Sequence, residues 1–171
     1  MLKKTNPKKP NNQSIEDDFM KSLKEMSEPE KNNRKIGLYG ELDGEKAELV
    51  VYSFLHLHDT RMKSVPRPLT ATQKKKLQKA VEEEDLDAGI DVKFDEVSQP
   101  IDFIISTPGG TAKDMFSIYD VMRNVRKDCE INTLGLGQVM SAGTLLLASG
   151  TKGKRKIGRH CRVMVDRKST R

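Results

Sequence analysis

Residues 101–110 read IDFIISTPGG, and this stretch decides the class of fold. Its first six residues, Ile101–Ser106, are mostly apolar, which is typical of a buried strand. The two glycines that follow allow a sharp turn and a close approach of the backbone to a neighbouring group. Apolar residues at helical spacing come next: Met115, Ile118, Tyr119, Met122 and Val125. The stretch therefore predicts a strand, a tight turn and a helix.

The segments on either side repeat this alternation. Upstream, Lys35–Tyr39 predicts a short strand, and 45–57 predicts an amphipathic helix that Asp43 caps. Downstream, the pattern predicts a strand, a helix and a last strand at 131–136, 141–149 and 162–165. Such alternation favours an α/β layered domain with a mainly parallel sheet.

Two parts of the chain depart from this pattern. Residues 1–33 form an N-terminal extension, in which we expect 1–13 to be disordered and an amphipathic helix to follow from Ile15 to Met26. Within the core of 34–171, the block 59–99 is rich in charge and proline. We interpret it as a charged insertion with one helix, because its apolar content could not build a core of its own.

The composition excludes several classes of function. The 171 residues are 33% charged and 35% hydrophobic, and no apolar run approaches the length of a membrane-spanning helix. The basic N-terminus is not followed by an apolar segment, so we expect a cytoplasmic protein without a secretory signal. Cys129 and Cys161 lack the spacing of a metal site and are expected to be reduced, buried thiols. We therefore predict no bound metal.

Positive charge is concentrated near the end of the chain. Residues 152–171 contain nine Lys or Arg and one Asp. A basic segment can bind nucleic acid, but no aromatic residues are interleaved here to stack on bases. A solvated surface is the more ordinary explanation, and nucleic acid is not the expected partner.

A second glycine-flanked turn, GQVMSAG at 137–143, contains Ser141 between a predicted strand and an apolar helix. This position brings the serine hydroxyl close to a helix N-terminus, whose partial positive charge favours an oxyanion. Serine is also a preferred N-cap residue, so the local sequence allows either a nucleophile or a cap.

Taken together, the two turns resemble those of the ClpP family of Clp protease proteolytic subunits. The chain reads STPGGTAKDMFSIYDVMRNV, then GLGQVMSAGTLLLASGTKGKR, then RVMV. The family shows SPGG before a helix with IYDxM, then GxAxSMG, AGxKGKR and RxMIH. The upstream segment RKIGLYGELDGEKAELVVYSFLHL also resembles the family's first strand and helix, so the resemblance covers 34–58 and 100–166.

The resemblance implies a ClpP/crotonase-like fold and a serine peptidase site. Ser141 matches the nucleophile, and the backbone N–H groups of Gly109 and Ala142 match the oxyanion hole. Gly110 would help to hold an extended substrate by main-chain pairing. Such subunits form stacked rings fed by a Clp-class AAA+ ATPase, which consumes the ATP, so this chain would need no cofactor and would cleave unfolded polypeptides.

The family's catalytic His is replaced here by Asp166, which is a much weaker base at neutral pH. We interpret His56, His58 and His160 as structural or surface residues. No residue matches the family's triad Asp, and the handle and C-terminal helices have no counterpart, which suggests a truncated record or a degenerate subunit. The insertion and the N-terminal extension suggest a divergent branch, such as a plastid-type or phage-encoded subunit, with the plastid stroma or the host cytoplasm as its location.

Four hypotheses follow. The chain is a working proteolytic subunit, or a non-catalytic ring subunit that retains the serine and glycine scaffold. A crotonase-like enzyme acting on a thioester enolate is disfavoured by the IYDxM helix and the GQxxSxG turn. A nucleic-acid binder would use the basic segment and would show strong salt dependence.

Overall fold

The computed structural model describes residues 12–27, 33–83 and 89–165, and these residues fall into two compact units. One unit contains the described residues of 1–32 and 64–96, and the other contains those of 33–63 and 97–171. In chain order the elements are α1 Asn12–Ser27, β1 Lys35–Tyr39, α2 Gly44–Asp59, β2 Met62–Pro66, α3 Ala71–Glu82, β3 Phe94–Ser98, β4 Ile101–Thr107, α4 Ala112–Val125, β5 Ile131–Met140, α5 Ala142–Ala148, β6 Arg155–Ile157 and β7 Arg162–Met164.

A parallel sheet forms the centre of the larger unit. Its strand order is β1-β4-β5-β6, and β7 also pairs with β5, further along that strand. All four pairings are parallel, with Ile36 opposite Phe103 and Phe103 opposite Thr133. The α/β class and the mainly parallel sheet predicted from the sequence are therefore confirmed.

The core lies on one face of this sheet, where α2, α4 and α5 pack. Side chains alternate between the two faces of a strand, and in β4 each odd-numbered residue is buried while each even-numbered one is half-buried. Phe54 of α2 meets Phe103 of β4 edge to face, with ring centroids 5.2 Å apart. The strand β4 is therefore fully buried on the face that carries the core and half-buried on the other.

The smaller unit is built around two helices. Lys74 of α3 forms an ion pair with Glu16 of α1, and Leu77 is the buried residue of α3. Thr70 is the N-cap of α3 and forms a capping box with Gln73. The Thr70 side chain accepts from the Gln73 N–H, and the Gln73 side chain accepts from the Thr70 N–H. The strands β2 and β3 form a two-stranded sheet, and Arg67 binds Asp95 beside it.

The structure adds to the predicted elements and corrects several of them. The strand β1 has the predicted bounds, whereas α1 already begins at Asn12, inside the range expected to be disordered. The block 59–99 contains two strands as well as its predicted helix. The prediction of disorder for 1–11 lies outside the described residues, and the described helices include none long and apolar enough to cross a membrane.

Candidate active site

The two glycine-flanked turns lie at the same edge of the sheet. The strands β4 and β5 are parallel neighbours, and Thr107 near the end of β4 is opposite Val139 near the end of β5. The carboxyl ends of parallel neighbours open at one edge, where ligands of α/β sheets commonly bind. The turn at 108–111 and the turn around Ser141 therefore meet there, which sequence separation alone does not reveal.

Ser141 has an unusual backbone conformation. Its φ is 49° and its ψ is −120°, and it is the only non-glycine residue with positive φ in the part of the chain that the structure describes. This combination lies outside the ordinary left-handed region and costs about 1–3 kcal/mol. Serine hydrolases of the α/β class present their nucleophile on a strained turn of this kind between strand and helix.

The Ser141 side chain does not cap the helix that follows. It makes no capping hydrogen bond to α5, and Ser141 is exposed while Ala142 and Gly143 behind it are buried. A capping role, which the local sequence allowed, would require such a bond. The structure therefore shows no side-chain cap at Ser141, and this exposed residue lies at the edge of the sheet.

Gly109 contacts Ser141 directly. A β-carbon placed on Gly109 would lie 2.9 Å from the Ser141 Cβ and 3.4 Å from its Oγ, and the Gly109 φ is +112°. Only glycine combines this backbone angle with so close an approach. The turn at 108–111, called the PGG turn below, therefore forms one wall of the space around the Ser141 hydroxyl.

The N–H groups of Gly109 and Gly110 in this turn differ in what they face. The Gly109 N–H donates to the Thr107 hydroxyl at 3.0 Å, and the Gly109 carbonyl accepts from the Leu42 N–H at 2.8 Å. Because the carbonyl and N–H of a trans peptide point in opposite directions, the Gly110 N–H is directed away from Leu42. The Gly109 N–H reaches an oxyanion only if its bond to Thr107 opens, so its role in the oxyanion hole stays a prediction.

A third segment, the loop between β1 and α2, supports the PGG turn. Gly40 donates to the Ser106 carbonyl at 2.9 Å, and Leu42 forms an isolated bridge to Gly110. A β-carbon on Gly110 would lie 1.9 Å from the Leu42 carbonyl oxygen, so this contact also requires glycine. Sequence reasoning missed Leu42, although a buried leucine after a glycine turn is a possible signal for such packing.

The same loop positions the start of α2. Asp43 accepts a hydrogen bond from the Lys46 N–H at 2.9 Å and from its Nζ at 2.8 Å. The Lys46 side-chain bond is the main reason why the pKa of Asp43 lies below its usual value. Asp43 is thus the predicted N-cap of this helix.

The last described strand anchors Ser141 from the other side. The Ser141 N–H donates to the Met164 carbonyl at 2.9 Å, and the Thr144 hydroxyl donates to the same oxygen at 3.1 Å. The chain therefore leaves β7 beside the turn around Ser141, called the serine turn below. Asp166, which the resemblance leads us to expect at the position of a catalytic His, follows two residues later in the sequence and lies outside the described residues.

The histidines do not approach Ser141 through any contact that the structure records. His58 bonds Asp128 at 2.7 Å, and Arg61 binds the other carboxylate oxygen of Asp128 at 3.0 Å. These two contacts with Asp128 join the end of α2 to the segment before β5, at the opposite edge of the sheet from Ser141. His56 and His160 are exposed. A structural or surface role fits all three.

The two cysteines are free, as expected, but only Cys129 is buried, and Cys161 is half-buried. The expectation that both are buried is wrong for Cys161, because it follows the exposed strand β6. Within the described residues, no group of three or more His, Cys, Asp or Glu could hold a metal ion.

Comparisons with known proteins show similarity to Clp proteases over part of the chain. Residues 91–170 match the family model described as Clp protease. The chain is 46% identical over 61 residues to the ATP-dependent Clp protease proteolytic subunit 1 of Prochlorococcus marinus (strain MIT 9312), which is 36% of this chain and 30% of the relative. It is 39% identical over 79 residues to the proteolytic subunit 4 of Rhodococcus jostii (strain RHA1), which is 46% of this chain and 40% of the relative.

The fold also matches a solved structure. The crystal structure of the ClpP protease catalytic domain from Plasmodium falciparum aligns with a TM-score of 0.53 and 22% sequence identity, over 92% of this chain and 62% of that one. The chain thus spans less than half of the length of the curated relatives it matches. The sequence of residues 91–170 is thus similar to Clp proteases, and the fold is similar to that of a ClpP catalytic domain.

Proposed function

We propose that this chain is a proteolytic subunit of a Clp-type protease and that Ser141 is its nucleophile. The observation that carries the proposal is the strained conformation of Ser141, with φ 49° and ψ −120°, on an exposed turn against Gly109. Proteins retain such strain where the surrounding structure holds it for a functional purpose. The relatives named above are proteolytic subunits of ATP-dependent proteases, which supports the same activity here.

The reaction would be hydrolysis of a peptide bond through an acyl-enzyme. The Ser141 oxygen attacks the carbonyl carbon while its proton passes to a base. The C–N bond then breaks, the amine leaves with a proton, and water hydrolyses the ester. Developing charge on the carbonyl oxygen would be stabilised by the Ala142 N–H and, in the PGG turn, by the Gly110 N–H, because the Gly109 N–H is bonded to Thr107.

This mechanism requires a group that accepts the Ser141 proton. Asp166 replaces the family's His, and a carboxylate with an ordinary pKa of about 3.9 takes up a proton poorly at neutral pH. A non-catalytic subunit that retains the serine turn as scaffold is therefore the alternative. In either case we propose a cytoplasmic ring of ClpP-type subunits that needs no cofactor of its own and receives unfolded polypeptides from a Clp-class AAA+ ATPase.

Peptide hydrolysis tests the proposal. The full chain is incubated with an unfolded protein such as reduced, carboxymethylated casein, and the new amino termini are counted. We expect slow cleavage that disappears in Ser141→Ala and persists in Ser117→Ala, an exposed serine on α4 whose hydroxyl bonds the Lys113 carbonyl. Equal release of amino termini by the wild type and Ser141→Ala would favour the non-catalytic alternative.

A further inference from the structure

Thr107 is a buried polar residue that no part of the mechanism above uses. It ends β4, its exposed fraction is 0%, and its hydroxyl makes two contacts within the PGG turn. The hydroxyl accepts from the Gly109 N–H at 3.0 Å and donates to the Gly109 carbonyl at 3.3 Å. Threonine hydroxyls that bond the N–H two residues later close a compact turn around the residue between.

The methyl group of the same side chain contacts the other turn. A β-carbon placed on Gly143 would lie 2.4 Å from the Thr107 Cγ2, so the backbone at the start of α5 packs directly against this methyl. Gly143 is two residues beyond Ser141. One side chain therefore touches both turns, with its hydroxyl on the PGG turn and its methyl on the serine turn.

The position of Gly109 depends on this bridge. Gly109 has a φ of +112°, an angle that glycine leaves easily because it has no side chain to restrict it. The two contacts with the Thr107 hydroxyl and the bond from Leu42 hold its backbone in place. A shift of Gly109 would move the wall that faces the Ser141 Oγ, and small misplacements at a reacting centre can cost about a hundredfold in rate.

We propose that Thr107 is a positioning residue, whose hydroxyl fixes the Gly109 backbone against Ser141 and thereby sets the reactivity of the serine. The part that concerns reactivity rests on the proposed function, whereas the part that concerns the Gly109 backbone does not. The hydroxyl and the methyl have separable effects. Thr107→Ser retains the hydroxyl, and Thr107→Val retains the shape without it.

The test combines two measurements on the full chain. The first is the rate of phosphonylation by a fluorophosphonate probe, separated into a probe-binding constant and a maximal rate. The second is the exchange rate of the Gly109 amide proton, measured by NMR. Thr133→Val is the matched control, because Thr133 is equally buried at 1% and bonds the Leu147 carbonyl, away from the turns.

We expect Thr107→Val to lower the maximal rate about ten- to a hundredfold, with little change in probe binding. The Gly109 amide should then exchange at least about tenfold faster, because its acceptor is gone. Thr107→Ser should retain amide protection and most of the rate, and Thr133→Val should change neither measurement. If Thr107→Val does not fold, Thr107→Ala takes its place and should react more slowly than Thr107→Ser.

Two results would overturn the proposal. One is a Gly109 amide that stays protected in Thr107→Val, and the other is a serine variant as slow as the valine variant. A wild-type chain that does not react with the probe would instead refute the proposed function. The amide exchange would then still decide whether the Thr107 hydroxyl holds Gly109.

Discussion

Gly109 lies so close to Ser141 that a β-carbon added to Gly109 would stand 2.9 Å from the Ser141 Cβ. The two residues are 32 positions apart in the sequence, and they meet because β4 and β5 are parallel neighbours. This contact joins the backbone of one turn to the proposed nucleophile of the other. The proposed site is therefore built around this contact.

The substitution Gly109→Ala should therefore disable the site. The added methyl collides with Ser141, and φ +112° is unfavourable for alanine. We expect fluorophosphonate labelling to fall on the order of a hundredfold. Gly153→Ala is the control, because Gly153 also has positive φ but has no atom within 4 Å of an added β-carbon. Labelling of Gly109→Ala at the rate of this control would contradict the close contact.

Replacement of Asp166 by histidine should strengthen the base. An imidazole with an ordinary pKa near 6.5 accepts a proton at neutral pH far better than a carboxylate. General-base catalysis typically contributes about 10²–10⁴-fold, so Asp166→His should accelerate casein cleavage at least about tenfold.

Asp166→Asn separates the remaining possibilities for this position. If Asp166 acts as a weak base, the amide should abolish the slow cleavage of the wild type, because it cannot take up the proton. If the cleavage rate is unchanged in both Asp166→His and Asp166→Asn, position 166 takes no part in the reaction.

The Asp128 carboxylate should make stability depend on pH. The His58 hydrogen bond is the main reason why the pKa of Asp128 lies below its usual value of 3.8, and the charge of Arg61 adds to it. A carboxyl whose pKa is lowered by folding stabilises the folded state above its unfolded pKa, and this contribution is lost as the pH falls through the folded pKa.

We therefore expect the urea midpoint of the wild type to be higher than that of Asp128→Asn at about pH 5, above the unfolded pKa, and this difference to disappear as the pH falls through the folded pKa. The difference should be small, because the group is exposed to solvent. Ser117→Ala, which removes no charge from an exposed site on α4, should show no such pH-dependent difference from the wild type. An advantage that grows towards low pH would be inconsistent with the lowered pKa.

Phe54 should contribute strongly to stability. It is fully buried and meets the Phe103 ring at 5.2 Å, so Phe54→Ala leaves a cavity between α2 and the sheet. Such changes cost about 3–5 kcal/mol. Tyr52→Ala on the same helix removes a side chain that is 64% exposed and should change the free energy of unfolding by about 0.5 kcal/mol or less. Equal effects in urea unfolding would show that α2 does not pack as described.

The sequence predicted the larger unit well because its apolar periodicity is strong. The strand β1 was predicted with its observed bounds, and β4 and α4 nearly so. The strand β5 extends to Met140, four residues further than predicted, because the sequence assigns a glycine-flanked turn from Gly137 onwards. The short strand β6 was missed because all three of its residues are exposed and two are basic, so no apolar pattern marks it.

The site was predictable only in part. The resemblance singled out Ser141 and the PGG turn, but a sequence cannot show the backbone angles that distinguish a strained nucleophile turn from an ordinary helix cap. The bridge through Thr107 was equally invisible, because it depends on the hydroxyl and the methyl of one residue pointing at two different turns. The contact of Leu42 with Gly110 joins segments that are far apart in the chain.

The most direct test of the central claim is the location of a covalent adduct after reaction with a fluorophosphonate. In this reaction the serine oxygen bonds phosphorus, the P–F bond breaks, and fluoride leaves. The full chain is treated, digested and mapped by mass spectrometry, with Ser141→Ala and Ser117→Ala in parallel. The account predicts a single adduct on Ser141 that is absent from Ser141→Ala and present in Ser117→Ala. An unmodified Ser141 in the folded wild-type chain would contradict it.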